Sequence, residues 1–480
     1  MGLGLFGTME MARNSLAASR TAAEVTGHNL ANAANPAYAR QRIKVEPSPA
    51  LPTTEGPQGT GANVAGFEQI RDYTLDKFLV SEKYLTSYYD SKLTTLMQAQ
   101  ARLGQILDRQ TVDPKSGNGG QTGLAERLTD LFNTFQSLSA APTSNTERRL
   151  SVVSGQELAD RFKRAPDRLN GLRTDINREV SNSVVEVNRL LESISVISQR
   201  IGASESGSTG MANELRDTRQ SWYEMLAKYT DFTHSEDSEG QMTLMVGGHA
   251  VIDEDSLVDQ FKTTTIKDSP TSVQQGMSYI KLINKSGLLN VTGGKIKGLI
   301  DARDDTIFTI QDEVNEVAKN LITEVNTLHT TGYDLAGAND SSLKFFTGTG
   351  ASDIAVEATL VDDPRRIQAS AYAGEPGDNT IAKQIAGLGQ KSISTLGGLT
   401  FNERYNNAVA QFGQSIGNVE THLQAQEAVE RLLLKQRDTI SGVSIDEEVA
   451  NLMIYQRAFQ ASSRIISTVD ALLADLLRLR

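Results

Sequence analysis

Hydrophobic and small residues recur at alternating spacings of three and four at both ends of this 480-residue chain. In the N-terminal stretch, residues 5–34, they are Leu5, Met9, Ala12, Leu16, Ser19, Ala23, Thr26 and Leu30. In the C-terminal stretch, residues 445–478, they are Ile445, Val449, Leu452, Gln456, Phe459, Ser463, Ile466, Val469, Leu473 and Leu476. This spacing places the residues on one helix face and is typical of coiled-coil packing. The pattern therefore predicts that the two chain ends form helices that pair.

Several positions in this seam are small or polar. They are Ala12, Ser19, Ala23, Thr26, Gln456 and Ser463. Because burial of apolar surface stabilises by only ~25 cal/mol per Å², a seam of this composition is marginal by itself. Helices that need a partner to be stable predict terminal segments that become ordered on assembly.

Between the two ends, helical periodicity predicts a long body. The expected helices cover residues 72–108, 122–139, 145–201, 211–229, 299–331 and 403–440. In the first of them Phe78 is expected at the start of the buried stripe. The Pro- and Gly-rich passage before it predicts a connector with short strands. Residues 333–380 read as irregular or β-like.

Residues 230–298 have a different pattern, in which short β-prone runs are separated by Gly, Asp, Ser and Pro. The predicted fold is therefore mainly α, with a β-rich inserted domain. We expect a terminal helical domain of residues 1–45 plus 441–480, paired as an antiparallel coiled coil. An elongated helical body, residues 46–229 plus 299–440, follows, and the insert of residues 230–298 is expected at the distal end of the rod.

The last helix has a clear start signal. Ser444 and Glu447 have the spacing of a capping box, in which each side chain bonds the other residue's backbone N–H. Asp446 and Glu448 add negative charge at the helix N-terminus, where the helix dipole favours it.

Composition and charge exclude some classes of function. The net charge of −12 argues against nucleic acid as a partner, because phosphate binding needs clustered Lys and Arg. No stretch is long and apolar enough to predict a membrane span, and the first residues lack the features of a secretory signal peptide. The absence of cysteine removes disulfides and thiolate sites. The absence of cysteine is compatible both with a protein that stays in the cytosol and with one that is exported unfolded.

No pattern predicts catalysis or cofactor binding. The five histidines lack metal-ligand spacing and are expected as surface or helix residues. The acidic run at 253–255 lacks the pattern of a calcium loop and predicts a solvated turn. The run at 293–295 has the wrong spacing for a phosphate loop. The sequence therefore predicts a protein that is not an enzyme and holds no cofactor or metal.

Both ends carry specific sequence signatures. The N-terminal one, within SLAASRTAAEVTGHNLANAANPAYARQRI, comprises Gly27, Asn29, Leu30, Ala31, Asn32, Asn35, Pro36, Tyr38, Arg40 and Gln41. The C-terminal one is SGVSIDEEVANLMIYQRAFQASSRIISTVDALLADLL. Together they resemble the opening and closing signatures of the flagellar rod, hook and hook-associated axial proteins. The runs 26–29, 38–41, 440–444 and 324–337 are similar to the hook-associated members rather than to hook or rod members.

The resemblance implies a structural role at the hook–filament junction of the bacterial flagellum. It implies a ring of copies whose paired terminal helices surround the export channel. The implied partners are other copies of the chain, the flagellar hook protein, a second hook-associated junction protein and an export chaperone at the C-terminal helix. It also implies an extracellular location, reached unfolded through the flagellar type III apparatus without a cleaved signal peptide.

The residues expected to make assembly contacts belong to the two signatures and the seam. They are Leu16, Asn29, Leu30, Asn32, Asn35, Pro36, Tyr38, Arg40, Gln41, Val449, Leu452, Tyr455, Phe459, Ile466 and Leu473. Two alternatives stay open. The chain could be a hook, rod or filament subunit of the same assembly, or a secreted adhesin or effector with coiled-coil ends that acts through the β-rich segment.

Overall fold

The structure is a computed structural model that describes residues 4–53, 56–107, 123–206, 211–237, 239–266 and 276–478. Its terminal helices are α1, Gly4–Ala31, and α11, Ile445–Arg478. They pack against each other in antiparallel orientation, since Asn29 contacts Glu448 near one end and Ser15 contacts Ser462 further along. The α1 helix ends slightly before the predicted residue 34 because the chain turns there, with the backbone N–H of Asn35 donating to the carbonyl of Asn32 (2.9 Å).

The predicted connector contains two short antiparallel strand pairs. Strand β1, Gln41–Pro47, pairs with β4, Ala62–Gln69, and between them β2, Leu51–Thr53, pairs with β3, Gly56–Gln58. Both β1 and β4 lie against α1. The connector is therefore part of the terminal unit.

The body consists of long helices around a central one. In chain order these are α2, Tyr73–Leu107; α3, Leu124–Ala140; α4, Asn145–Glu205; and α5, Asn213–Ala227. After the β segment come α6, Gly294–Asp301; a π-helical turn, Ala302–Ile307; α7, Phe308–His329; and, later, α10, Phe401–Ser441. At 1.5 Å per residue α4 is roughly 90 Å long, and α2, α3, α5, α6 and α7 all contact it.

Helical periodicity in the sequence predicts nine apolar residues on one face of α4, and the structure buries all of them. These residues are Leu169, Leu172, Ile176, Val180, Val184, Val187, Leu191, Ile194 and Ile201. On α2 the prediction for Phe78 is wrong, because this side chain is 57% exposed. The neighbours Leu75, Leu79 and Val80 are buried instead. The prediction thus fails at the start of the stripe, whereas its later members Leu96 and Leu103 are buried.

The β-rich segment forms a four-stranded sheet and a hairpin. The sheet contains β5, Thr233–Glu236; β6, Met242–Val246; β7, His249–Asp253; and β8, Ser256–Leu257, in that order. The hairpin pairs β9, Phe261–Thr265, with β10, Ser278–Leu282. The acidic run forms a turn, as predicted, with positive φ at Glu254 and Asp255, but Asp255 is buried rather than solvated.

The predicted distal position of this segment is wrong. Its strands contact the C-terminal half of α4, where Asn188 exchanges two hydrogen bonds with the backbone of Phe261 (both 2.8 Å) and Ser195 donates to the carbonyl of Asp255 (2.6 Å). The same end of α4 leads into α5, which contacts the connector through Asp217. Because polar side chains of α4 bind the strand backbones, the strands lie along the helix rather than beyond it.

The remote end of α4 is covered by the chain between α7 and α10. This region contains β11, Phe346–Thr347; β12, Ala355–Val356; α8, Ala358–Asp362; and α9, Thr380–Gly387. Arg148, only 1% exposed, donates from near the start of α4 to the carbonyls of Pro142 (3.0 Å) and Ile367 (2.6 Å). His329 is a helix residue, as predicted, but is fully buried.

Two hydrogen bonds fix the state of the His329 ring. The backbone N–H of Gln368 donates to Nε2 (3.1 Å), so Nε2 carries no proton and Nδ1–H donates to the carbonyl of Leu343 (3.0 Å). Burial lowers the pKa of His329 from 6.5 to about 4, and Arg148 adds to the effect. Protonation of Nε2 would break the bond to Gln368.

Among the described residues, no helix is long and apolar enough to cross a membrane.

We expect His329 to make the free energy of unfolding depend on pH. Its pKa is lower in the folded than in the unfolded chain, so its contribution is complete above about pH 6.5 and is lost as the pH falls towards 4. The loss from this group is at most about 3 kcal/mol. Guanidinium unfolding of the parent and of His329→Gln at pH 7 and 4.5 measures it, and the variant should lose less stability on acidification. His249→Gln, at an exposed position, is the control and should behave like the parent.

Candidate assembly site at the base of the terminal helices

The two ends of the chain meet at a buried asparagine. The amide oxygen of Asn29 accepts from the Tyr38 hydroxyl (2.7 Å) and from the backbone N–H of Gln41 (3.0 Å). Its amide nitrogen donates to the carbonyl of Gln41 (2.8 Å) and to the Glu448 carboxylate (3.0 Å). Asn29 is 1% exposed, so all of these bonds form away from water. An amide is the side-chain group that offers two donors beside two acceptor lone pairs, which is what this position uses.

The partner on α11 is a buried carboxylate. Glu448 is 2% exposed and forms an ion pair with Arg40 (2.7 Å), which also contacts Glu447 (2.9 Å). The backbone N–H of Arg40 donates to the carbonyl of Ser441 (2.9 Å), at the end of α10. Arg40 therefore joins the connector to both C-terminal helices.

The predicted start of α11 is half confirmed. The backbone N–H of Glu447 donates to the Ser444 hydroxyl (3.4 Å), as in a capping box. The Glu447 side chain contacts Arg40 instead of completing the box. The sequence showed Glu448 only as a favourable charge near the helix N-terminus. The sequence analysis missed that Glu448 is buried and links α11 to α1. The available signal was Arg40 in the connector, a residue that can pair with a buried carboxylate.

The turn at residues 36–39 is held by the body. Arg437 donates to the carbonyl of Pro36 (3.2 Å), and the backbone N–H of Ala39 donates to Asp217 (3.3 Å). Arg71, buried with 5% of its side chain exposed, pairs with both Asp217 and Asp76 (2.7 Å each). Sequence reasoning missed these residues, because they are distant along the chain and lie in or next to helices that read as ordinary body helices.

Burial controls the ionisation of this cluster. It raises the pKa of Asp217 to about 6, although Arg71 opposes the effect. Burial also raises the pKa of Tyr38, and the negative charges of Asp217, Glu214 and Glu448 act in the same direction. The phenol therefore keeps its proton and can donate it to Asn29.

Along the helix pair, the α1 face agrees with the predicted seam. Ala12, Ser19 and Thr26 are buried, and Leu16 and Leu30 are partly buried. On α11 the face that meets α1 contains four predicted seam residues, Leu452, Ile466, Val469 and Leu473, but it begins at Glu448 rather than at Ile445 and Val449. It consists of Glu448, Leu452, Tyr455, Ser462, Ile466, Val469 and Leu473, which are buried or partly buried.

Five predicted seam residues on α11 are exposed in the single chain: Ile445, Val449, Gln456, Phe459 and Leu476. Val449 is 40% exposed, and because Glu448 rather than Val449 meets Asn29, the contact face moves by one residue at the start of α11. Phe459 lies one turn after Tyr455 and one turn before Ser462, so it shares their helix face and is 38% exposed at its edge. The seam prediction for Val449 within one chain is therefore wrong.

The structure brings only some of the predicted assembly residues together. Asn29, Tyr38, Arg40 and Gln41 form the buried cluster. Asn32 donates to the carbonyl of His28 (3.0 Å) and closes the end of α1. Asn35 and Pro36 are exposed, and the Asn35 side chain accepts the backbone N–H of Ala37 (3.1 Å).

We expect Glu448→Ala to destabilise the base of the terminal helices by about 3 kcal/mol, because it leaves Arg40 and the Asn29 amide without their buried partner. Glu447→Ala removes a contact of the same arginine, but its side chain is 63% exposed, so the loss should stay below about 1 kcal/mol. Hydrogen exchange of the amides around residues 26–30 and 448–452 measures both variants. Equal exchange rates in the two variants would contradict the role given to Glu448.

Two family models match parts of the chain. The model described as flagellar hook-associated protein FlgK helical domain matches residues 111–346. The model described as flagellar basal body rod FlgEFG protein C-terminal matches residues 436–479, which include α11. Both models describe proteins of the bacterial flagellum.

Full-length relatives agree with these matches. The chain is 24% identical to flagellar hook-associated protein 1 of Bacillus subtilis (strain 168), over 97% of this chain and 96% of the relative. It is 22% identical to the protein of that name from Salmonella typhimurium, over 98% and 99%. The solved flagellar hook junction protein FlgK of Burkholderia pseudomallei has the same fold, with a TM-score of 0.62 at 12% identity over 76% of this chain and all of that one. The chain belongs to the family of flagellar hook-associated protein 1.

Proposed function

We infer that the chain is a structural subunit of the bacterial flagellum that forms the junction between hook and filament and allows the filament to assemble. The observation that carries this inference is the similarity to relatives named flagellar hook-associated protein 1 over nearly the whole of both chains. The helical fold, which the solved junction protein shares, supports it.

The terminal helices are the proposed contact surface between copies. They pack against each other in antiparallel orientation within one chain, yet α11 buries only Glu448, Ser462 and Val469 completely. Its large apolar side chains are mostly exposed: Ile445, Val449, Met453, Ile454, Phe459, Ile465, Leu472, Leu476 and Leu477. Exposed apolar surface of this extent on one helix marks a site of protein contact. We propose that neighbouring copies in a ring cover it, with Val449 and Phe459 among the contacts.

The same role defines the other proposed partners. The flagellar hook protein lies on one side of the ring and a second hook-associated junction protein on the other. An export chaperone binds α11 before export, on the apolar residues that later contact other copies. The chain is exported unfolded by the flagellar type III apparatus and works outside the cell.

The proposed domain division follows the contacts between elements. Residues 1–45 plus 441–480 form the terminal domain, and residues 46–229 plus 299–440 form the body. Residues 230–298 form an inserted domain beside α4. Strand β4 belongs to the proposed body but pairs with β1 along the terminal domain, so these two domains share a continuous surface.

Deletion of the gene tests the proposal. Electron microscopy of the cells and an assay of the medium for flagellin should show bare hooks and flagellin lost to the medium. Missing hooks would move the protein to the rod or hook. Normal filaments and motility would contradict a flagellar role and favour a secreted adhesin or effector.

We expect Phe459→Asp to block filament assembly, because it places a charge in the apolar surface of α11. Phe459 is 38% exposed and lies outside the core of the body, so the body should stay folded and its circular dichroism spectrum unchanged. Gln460→Asp adds the same charge at the neighbouring exposed position and should assemble filaments. Complementation of the deletion strain, scored by motility and microscopy, checks both variants. A Phe459→Asp strain with normal filaments would contradict the contact surface proposed here.

A further inference from the structure

His28 connects α1 to the body through both nitrogens of its ring. Its Nδ1 lies 3.1 Å from the hydroxyl oxygen of Tyr38. Its Nε2 lies 3.1 Å from a carboxylate oxygen of Glu214, in the first turn of α5. The His28 side chain is 41% exposed, so water can exchange protons with the ring.

The direction of the hydrogen bond at Tyr38 follows from the backbone of Gln41. That backbone presents its N–H to one end of the Asn29 amide and its carbonyl to the other. The orientation of the amide is thereby fixed, with the oxygen towards the Gln41 N–H. The Tyr38 hydroxyl lies 2.7 Å from the same amide oxygen and must donate its proton to it.

Since Tyr38 gives its one proton to Asn29, its oxygen can only accept from His28. Nδ1 of His28 must then carry a proton. The contact with the Glu214 carboxylate needs a second proton, on Nε2. Both contacts of the ring can therefore form together only when the imidazole is doubly protonated.

We propose that His28 is a pH-sensitive link between α5 of the body and the base of the terminal helices, complete only when its ring carries both protons. A neutral ring has one proton. If the proton is on Nδ1, the lone pair of Nε2 faces the Glu214 carboxylate, and no hydrogen bond forms between these two acceptors. If Nε2 keeps it, Nδ1 faces the lone pairs of Tyr38.

Charged groups from several elements lie around the ring. On α5 these are Glu214 and Asp217, and on α11 Glu448 acts through Asn29. One turn earlier on α1, Glu24 is paired with Arg20 (2.9 Å) and lines the same groove as His28. The connector adds Arg40, which forms ion pairs with Glu447 and Glu448.

The pH dependence follows from these groups. Histidine is the side chain that normally changes charge between pH 5 and 8. The link is complete when the ring carries both protons, and one of its two contacts is lost when the ring becomes neutral.

A distance measurement between α1 and α5 tests the link. The chain has no cysteine, so Ala17→Cys and Thr218→Cys, both at exposed positions, give one unique pair of spin labels in the full-length monomer. Electron–electron double resonance should show a narrow distance distribution at pH 6 and a broader one at pH 8. Loss of one hydrogen bond of ordinary strength corresponds to about a fivefold rise in the displaced population. An identical distribution at both pH values would overturn the proposal.

Two variants in the same labelled background separate the link from general loosening. Glu214→Gln replaces the carboxylate by an amide that can either accept or donate, so the distribution should no longer depend on pH. His28→Gln should be broad at both pH values. A Glu214→Gln protein that keeps the full pH response would also refute the proposal. The measurement uses the monomer, and its outcome does not depend on the junction role.

Discussion

The connection between the two ends of the chain depends on one buried polar contact, that of Asn29 with Glu448. These residues lie 419 positions apart, and each is at most 2% exposed. A buried carboxylate is costly unless charges and hydrogen bonds compensate it. Arg40 supplies the charge, and Asn29 supplies the hydrogen bond. The arrangement can therefore form only when α1, the connector and α11 are all in place.

The orientation of this terminal unit on the body depends on a second set of buried charges. Arg71 lies between Asp76 of α2 and Asp217 of α5, and Asp217 also accepts the backbone N–H of Ala39. Arg437 of α10 holds the carbonyl of Pro36 and pairs with Glu224 of α5 (2.5 Å). Two body helices, α5 and α10, thus bind the same short turn, and Asp76 of α2 supports it through Arg71, so the base of the terminal helices is positioned from several sides.

The sequence predicted regular elements well, because hydrophobic periodicity reports helices directly. The predicted range 445–478 coincides with α11, and all nine residues predicted on one face of α4 are buried. The position of each element in the folded chain was harder to predict from the sequence. Strand propensity marked residues 230–298 as β-rich, but nothing in it showed that Asn188 and Ser195 of α4 would bind those strands. Periodicity also favoured Val449 over its neighbour Glu448, since an isolated acidic residue reads as exposed until its partners are known.

The sequence identified several residues of the assembly site but not the contacts between them. The signature residues Asn29, Tyr38, Arg40 and Gln41 meet in one cluster. Their partners Asp217, Arg71 and Glu448 carry no local pattern, because they are recognised only by charge and distance in the folded chain. His28 was visible in the same signature. Its coupling to Glu214 depends on the direction of a hydrogen bond, which only the geometry of Asn29 defines.

The composition of the seam explains why a polar cluster lies at its base. Small residues such as Ala12, Ser19 and Ser462 pack similarly in several registers, so apolar burial alone selects no single alignment of α1 and α11. A buried asparagine in a helix pair can specify register, because any shift leaves its amide without partners. In this chain a shift would also leave Glu448 and Arg40 unpaired. The polar base therefore sets the register, while the exposed apolar side chains of α11 remain available for contacts beyond the single chain.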